Sequence, residues 1–187
     1  IENYKVGGLK KYGLDYNALR DDSPELIYCS ISGFGQTGPK SKLPGYDFMI
    51  QAMGGIMSVT GDSDGPPMKV GVGIADVMCG MYAAVSILSA IHYRDNGGNG
   101  QYIDLSLLDS QAAWLINSGL NYLTSGQDQV RLGNAHPNIV PYQLFKTSDG
   151  YFVLAVGNNS QFKKFCKLAG LNKFAEDSRF KNNSDRV

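Results

Sequence analysis

The run from Asp76 through Arg94 constrains this chain more than any other segment. It holds no proline, its apolar residues fall almost all round a helical wheel, and Asn96-Gly97-Gly98-Asn99-Gly100 stops it. A helix with so little polar face is a buried helix, so the remaining elements must wrap around it. Its greasiest part, Met81 to Ile91, is too short to span a bilayer and contains Ser86 and Ser89. It therefore reads as a core helix, and no membrane partner and no signal peptide are expected.

The flanking segments supply the wrapping. Leu26-Ile27-Tyr28-Cys29-Ser30-Ile31 is an apolar run of strand length, and Gln101 to Leu107 alternates polar and apolar residues as a strand does. Tyr16 to Asp21 reads as a short helix stopped by Ser23-Pro24, and Tyr46 to Met53 as a helix ending at Gly54-Gly55. Asp62 to Pro67 is a loop, and one long second helix is expected from about Leu108 to Leu123. Strands alternating with helices imply an α/β layered domain.

Beyond Ser125-Gly126 the composition changes. Gln127 to Pro141 is polar and carries Gly133, Pro137 and Pro141, which suits a linker or an active-site loop. Tyr142 to Lys146 and Tyr151 to Val156 flank a Ser148-Asp149-Gly150 turn and read as a hairpin, with a helix over Ser160 to Ala169. The expected division is 1–126 for part of a large α/β domain, 127–141 for the linker and 142–187 for the beginning of a small α+β domain. Ile1 and Val187 are expected to be cuts within a longer chain.

Seventeen basic and seventeen acidic residues cancel. With no basic excess, nucleic acid is not an expected partner. Cys29, Cys79 and Cys166 are scattered, odd in number and set among apolar neighbours, as reduced thiols of a cytoplasmic protein would be. They form no CxxC pair and only His92 and His136 accompany them, so no metal site is expected.

Several local patterns invite chemistry. Gly33-Phe34-Gly35-Gln36-Thr37-Gly38 fits a dinucleotide fingerprint after a strand, but Pro39 and Pro44 forbid a helix before about Gly45. The fingerprint works only where a helix N-terminus meets the pyrophosphate. A turn that needs glycine dihedrals is the better reading. Asp76 follows Gly71-Val72-Gly73-Ile74-Ala75 and opens the long helix. Backbone amides and the helix dipole hold a carboxylate there ionised, and its simplest role is an N-cap. Asp109 reads as a cap or first-turn charge and is a secondary candidate. The Asn134-Ala135-His136-Pro137-Asn138 loop offers one histidine without a neighbouring carboxylate. Lys5, Lys10, Lys11, Lys40 and Lys42 are either solvated or a phosphate contact.

In order along the chain, these segments resemble class III coenzyme A transferases, a family that also includes the carnitine-dehydratase and bile-acid-inducible proteins, formyl-CoA transferases and α-methylacyl-CoA racemases. Glu2-Asn3-Tyr4-Lys5-Val6-Gly7 is similar to the family's ENFRPG segment. Leu26 to Pro39, Pro44-Gly45-Tyr46-Asp47, Gln51-Ala52-Met53-Gly54-Gly55, Thr60-Gly61, Gly65-Pro66-Pro67, Ala75-Asp76 with Gly80, Gly100-Gln101 and Leu108-Asp109 follow in the family's order. The resemblance implies part of a Rossmann-like large domain followed by the start of a smaller one, from a fold whose two subunits interlock as a homodimer.

The resemblance also implies roles. Asp76 in Asp76-Val77-Met78-Cys79-Gly80 matches the family's nucleophilic aspartate. Asn3, Tyr4, Lys5, Lys11 and Leu43-Pro44-Gly45-Tyr46 match coenzyme A contacts, although Leu43-Pro44 replaces a basic residue found in some members. Asp47 matches a substrate-orienting acid, and Gly133, Asn134 and His136 belong to a candidate active-site loop. Oxyanion donors are expected near Gly54-Gly55 or just after Asp76. No cofactor is tightly bound, and acyl-CoA and carboxylic acids are the expected partners, with succinyl-CoA and a dicarboxylate as the closest branch. Racemases carry a histidine where Tyr46 stands. A tyrosine of pKa about 10 is a poor substitute for an imidazole near about 6.5, which favours transfer over racemisation. A non-catalytic coenzyme A-binding protein is the remaining alternative.

Overall fold

The computed structural model describes residues 1–187, and the chain forms two compact units, residues 1–60 with 67–129 and residues 61–66 with 130–187. The first unit begins with α1 (Tyr16–Leu19), β1 (Tyr28–Ser32), α2 (Asp47–Met53) and α3 (Ile56–Val59). It continues through α4 (Ile74–Asp95), β2 (Tyr102–Ser106), α5 (Leu107–Ala112) and α6 (Ile116–Ser125). β1 and β2 pair in parallel, from Tyr28 opposite Tyr102 to Ser32 opposite Ser106. Parallel neighbours need a long crossover, and the 33–101 segment with its helices provides it. Along the other edge of β1, the Glu2 amide donates to the Cys29 carbonyl and the Glu2 carbonyl accepts from Ile31, each at 2.9 Å. The expected α/β class is the one observed.

The core of this unit is Ile50, Ala75, Cys79 and Leu107, with Ile31, Phe34, Leu105 and Leu108 packed against it. α4 reaches it through a stripe of small residues, Ala75, Cys79, Ala83 and Ala90. Small side chains let the helix lie close to the sheet and to α2 and α5. The expectation of burial all round is corrected here. Val77, Met81, Val85 and Leu88 form an opposite ridge, each more than half exposed. The apolar run expected to be too short for a bilayer is also part of a longer helix, since α4 has 22 residues and is long and apolar enough to cross a membrane by length and composition. Its buried stripe is that of a core helix.

The expected single helix from Leu108 to Leu123 is broken. A 3₁₀ turn over Ala113–Leu115 separates α5 from α6, and Ile116 has φ 45° with ψ −116°, a positive-φ conformation costly for a β-branched residue. Leu115 packs over the Gly54-Gly55 turn, 3.4 Å from where a Gly55 side chain would begin. Apolar spacing runs unbroken through the same residues, so periodicity alone cannot reveal the break.

The glycine-rich loop after β1 behaves as a turn. Gly35 and Gly38 have φ of 82° and 86°. The loop returns so closely that a Gly33 side chain would begin 2.5 Å from the Gly45 Cα. The Gln36 amide meets the chain's own Asp104 carboxylate at 3.0 and 3.1 Å. An internal anion thus occupies the donor that a phosphate-binding loop would offer.

In the second unit, β3 (Tyr142–Lys146) and β4 (Tyr151–Ala155) form the expected antiparallel hairpin, with Phe145 stacked on Phe152. α7 (Asn159–Leu168) is capped by Asn158 and packs Phe162 and Cys166 against Val156. Short helices α8 (Asn172–Ala175) and α9 (Asn183–Arg186) close the unit. Arg131 donates to the carbonyls of Asp62 and Gly65, which ties residues 61–66 to this unit.

Gly33→Ala in the complete polypeptide is expected to cost about 2 kcal/mol or more, because the new methyl meets backbone that cannot rotate away. Urea denaturation measures it, and an unchanged midpoint would contradict the close approach.

Candidate active site

α4 begins after Gly71-Val72-Gly73, and its N-cap is Gly73, which has no side chain to satisfy the helix's first amides. The missing acceptor comes from another helix. Asp47, in the first turn of α2, accepts at Oδ1 from the Ala75 amide at 2.8 Å and from the Asp76 amide at 3.4 Å. Its Oδ2 accepts from Gln51 Nε2 at 2.7 Å. Gln51 is fully buried one turn along α2 and accepts from the Val70 amide at 2.9 Å. Capping by Asp47 corrects the expectation that Asp76 is the N-cap.

Asp76 occupies the first turn of α4 with its carboxyl exposed. A side chain at Gly73 would begin 3.7 Å from both Asp76 Oδ2 and Asp47 Oδ1, so the two carboxyl groups flank this glycine. Partial burial, and then the Asp47 charge, push the Asp76 carboxyl above its ordinary value. The helix terminus alone would act in the opposite direction. The nearest amides, those of Ala75 and Asp76, already donate to Asp47, and burial with the Asp47 charge outweighs the terminus. A carboxylate made more basic and left accessible is a better nucleophile than an ordinary one.

Two of the expected oxyanion donors, the Gly54 and Val77 amides, are already engaged, and so is the Asp76 amide. The Gly54 amide donates to Ile50 at 2.8 Å, the Val77 amide to Gly73 at 3.1 Å and the Asp76 amide to Asp47. Gly54 instead serves packing, since any side chain there would overlap the buried Gln111 side chain. Cys79, one turn after Asp76, is buried and its thiol is pushed up by that burial. All three cysteines are free and buried.

The remaining expected site residues spread over both units. Asn3, Tyr4, Lys5, Lys11, Leu43, Pro44 and Tyr46 are exposed, with Tyr46 at 76%. Gly45 is drawn in against Gly33. Of these residues only Lys5 lines a cleft of about 300 Å³, which it shares with Glu2, Lys10, Tyr16, Gln36 and Tyr102. Tyr16 and Tyr102 stack there at 4.9 Å. Asp109 is an exposed first-turn charge on α5, whose cap is Ser106. Gly133, Asn134 and His136 lie in the second unit. There the His136 amide donates to Tyr142 and its Nδ1 accepts from the Asn138 amide at 3.0 Å. Sequence reasoning misses Gln51. The available signal is a polar residue four positions after Asp47, on the helix face that carries Ile50.

A family model described as CoA-transferase family III matches residues 1–187. The chain is 52% identical over its whole length to a succinate–glutarate CoA-transferase of Agrobacterium fabrum, covering 47% of that protein. It is 43% identical over its whole length to a succinyl-CoA:glutarate CoA-transferase of Homo sapiens, covering 43% of it. A crystal structure of a CAIB/BAIF family protein from Brucella suis is 53% identical with a TM-score of 0.80, across 99% of this chain and 49% of that one. The chain thus spans about half the length of the relatives it matches.

The raised Asp76 carboxyl has a consequence for stability. Below the ordinary carboxylate range both folded and unfolded chains are protonated and nothing is lost. As pH rises the unfolded chain releases its proton first, so stability falls until the folded group also ionises. Asp76→Asn is therefore expected to be more stable than wild type at neutral pH, with the gap closing toward acid. Urea denaturation across pH tests this, and a gap independent of pH would count against it.

Proposed function

Because the chain belongs to CoA-transferase family III, we propose that Asp76 carries the acyl group while coenzyme A passes from an acyl-CoA to a carboxylic acid. The observation that carries this reading is the accessible Asp76 carboxyl, raised by partial burial and by Asp47 at the start of α4. A carboxylate Oδ attacks the thioester carbonyl of the donor, the C–S bond breaks, and coenzyme A leaves as thiolate with a mixed anhydride on Asp76. The thiolate then attacks the aspartyl carbonyl and expels the donor acid as carboxylate, leaving an aspartyl-CoA thioester. The acceptor carboxylate attacks that thioester, and the returning thiolate takes the acceptor acyl group and restores Asp76. Each step exchanges one acyl bond for another, so the thioester's energy is conserved without a further reactant.

Succinyl-CoA and a dicarboxylate such as glutarate are the proposed substrate pair, supported by the activities for which the two CoA-transferase relatives are named. Asn3, Tyr4, Lys5, Lys11 and Leu43 to Tyr46 are proposed to bind coenzyme A. Asp47 is the proposed substrate-orienting acid, and Gly133, Asn134 and His136 a loop that keeps water from the anhydride. In this reading residues 1–126 are part of the large catalytic domain, 127–141 its linker and 142–187 the beginning of the small domain. The complete protein is proposed to be a cytoplasmic, interlocked homodimer. Three free thiols support the compartment, and the exposed α4 ridge is a surface of the kind that assembly covers.

Incubating the complete enzyme with succinyl-CoA, trapping with hydroxylamine and mapping peptides by mass spectrometry is expected to find a hydroxamate on Asp76. Asp76→Ala is expected to lose both the hydroxamate and CoA exchange, by about a thousandfold or more. Exchange with an unmodified Asp76 would move the nucleophile elsewhere, with Asp109 next to examine.

A further inference from the structure

The Gln51 side chain is fully buried on α2, and both ends of its amide are engaged. Its Nε2 donates to Asp47 Oδ2 at 2.7 Å and reaches the Val72 carbonyl at 3.4 Å. Its Oε1 accepts from the Val70 amide at 2.9 Å. One rigid planar group therefore joins three things: its own helix, the segment that leads into α4, and the carboxylate that caps α4. Asp47 Oδ1 continues the connection to the amides of Ala75 and Asp76. The segment so held, Val70 to Gly73, has two glycines and no side-chain cap of its own.

We propose that Gln51 is a positioning residue for Asp76, holding the Asp47 carboxylate with its amide nitrogen and the Val70–Val72 segment with both ends of the amide, and so setting where the first turn of α4 stands. The inference rests on the reading of Asp76 as nucleophile and goes beyond it. Without the Gln51 donor, Asp47 is free to rotate about its side-chain bonds, and the cap loses its direction. Val70 loses its acceptor in a half-buried setting, so the approach to α4 loosens at the same time. Asp76 itself keeps its charge and exposure. The change then appears in the geometry of attack rather than in the affinity for acyl-CoA.

The chemistry of a carboxamide allows a test that packing alone would not pass. In Gln51→Glu, the introduced carboxyl when protonated still donates to Asp47 Oδ2 and still accepts from the Val70 amide. Once ionised, it keeps the acceptor but faces Asp47 as a like charge. The ionisable groups on the packed turns are Asp47 on α2, Asp76 and Cys79 on α4, Asp109 on α5 and Lys69, whose Nζ donates to the Val70 carbonyl at 3.1 Å. Burial and the neighbouring acids favour the protonated form, and the single Lys69 charge opposes them.

The experiment compares wild type, Gln51→Leu and Gln51→Glu in the complete enzyme, measuring kcat, the KM for succinyl-CoA and the Asp76 hydroxamate across pH. Gln51→Leu is expected to lower kcat about 10- to 100-fold while KM stays within about threefold. Gln51→Glu is expected to work within about threefold of wild type at the acid end, and its ratio to wild type should fall about tenfold or more toward alkaline pH. If Gln51→Leu does not fold, the pH dependence of Gln51→Glu decides. A flat ratio, or a rise in KM that accounts for the whole loss, overturns the positioning role. Wild type with an Asp76 adduct and a Gln51→Leu variant at wild-type rate would sink this inference alone. No Asp76 adduct in wild type would remove its premise and the proposed reaction together.

Discussion

The hydrogen bond from the Ala75 amide to Asp47, at 2.8 Å, is the contact on which the first unit's site depends. α4 starts without a capping side chain of its own, because Gly73 occupies its N-cap. A helix leaves its first amides without internal partners, and those near a core need an acceptor. Asp47 supplies one across 28 residues of sequence. It therefore joins the crossover's first helix to its last. Cooperation between α2 and α4 is also visible in packing, where Ile50 of α2 meets Ala75 and Cys79 of α4 in one cluster.

The same carboxylate creates an electrostatic tension. It stabilises the helix terminus and destabilises the ionised form of Asp76 beside it. The two effects act on different groups, so they do not cancel. The helix start is secured by an acid whose charge is well hydrogen-bonded, while the exposed acid is left less satisfied and more basic. Such separation between neighbouring carboxyls lets one helix start hold a structural anion beside a more basic carboxyl. Gln51 strengthens the division by bonding Asp47 and not Asp76.

Much of this architecture is legible in the sequence because it rests on local signals. The hairpin at Tyr142 to Ala155 announces itself through Asp149-Gly150 between apolar runs, and α4 through the absence of proline between two glycine-rich stops. The halves of the parallel pair are recognisable as strands, although their pairing is not, since register between β1 and β2 is set by the intervening helices. What stays hidden depends on contacts distant in sequence. The break at Ile116 lies beside the contact of Leu115 with Gly55, and the cap of α4 comes from Asp47. Likewise, the exposed ridge on α4 has the same residue types as a buried face, and only packing distinguishes them.

Asp76 shows where motif reading and local chemistry diverge. By residue type and position it is an ordinary first-turn acid, and the physics of a helix terminus points to a low pKa. Its family motif points to a nucleophile, a role that a strongly stabilised anion fills badly. The apparent conflict disappears once the amides are counted. Asp47 takes the Ala75 amide and shares that of Asp76, so the amides nearest Asp76 already have an acceptor. A carboxyl can therefore stand at a helix start without being quenched by it, provided a second acid takes the cap. Gly54 and Gln111 illustrate the same principle for packing, because a glycine that looks like a loop donor is in fact there to clear a buried amide. In both cases the meaning of the residue is decided by what already occupies the neighbouring position, and that occupant lies far away along the chain.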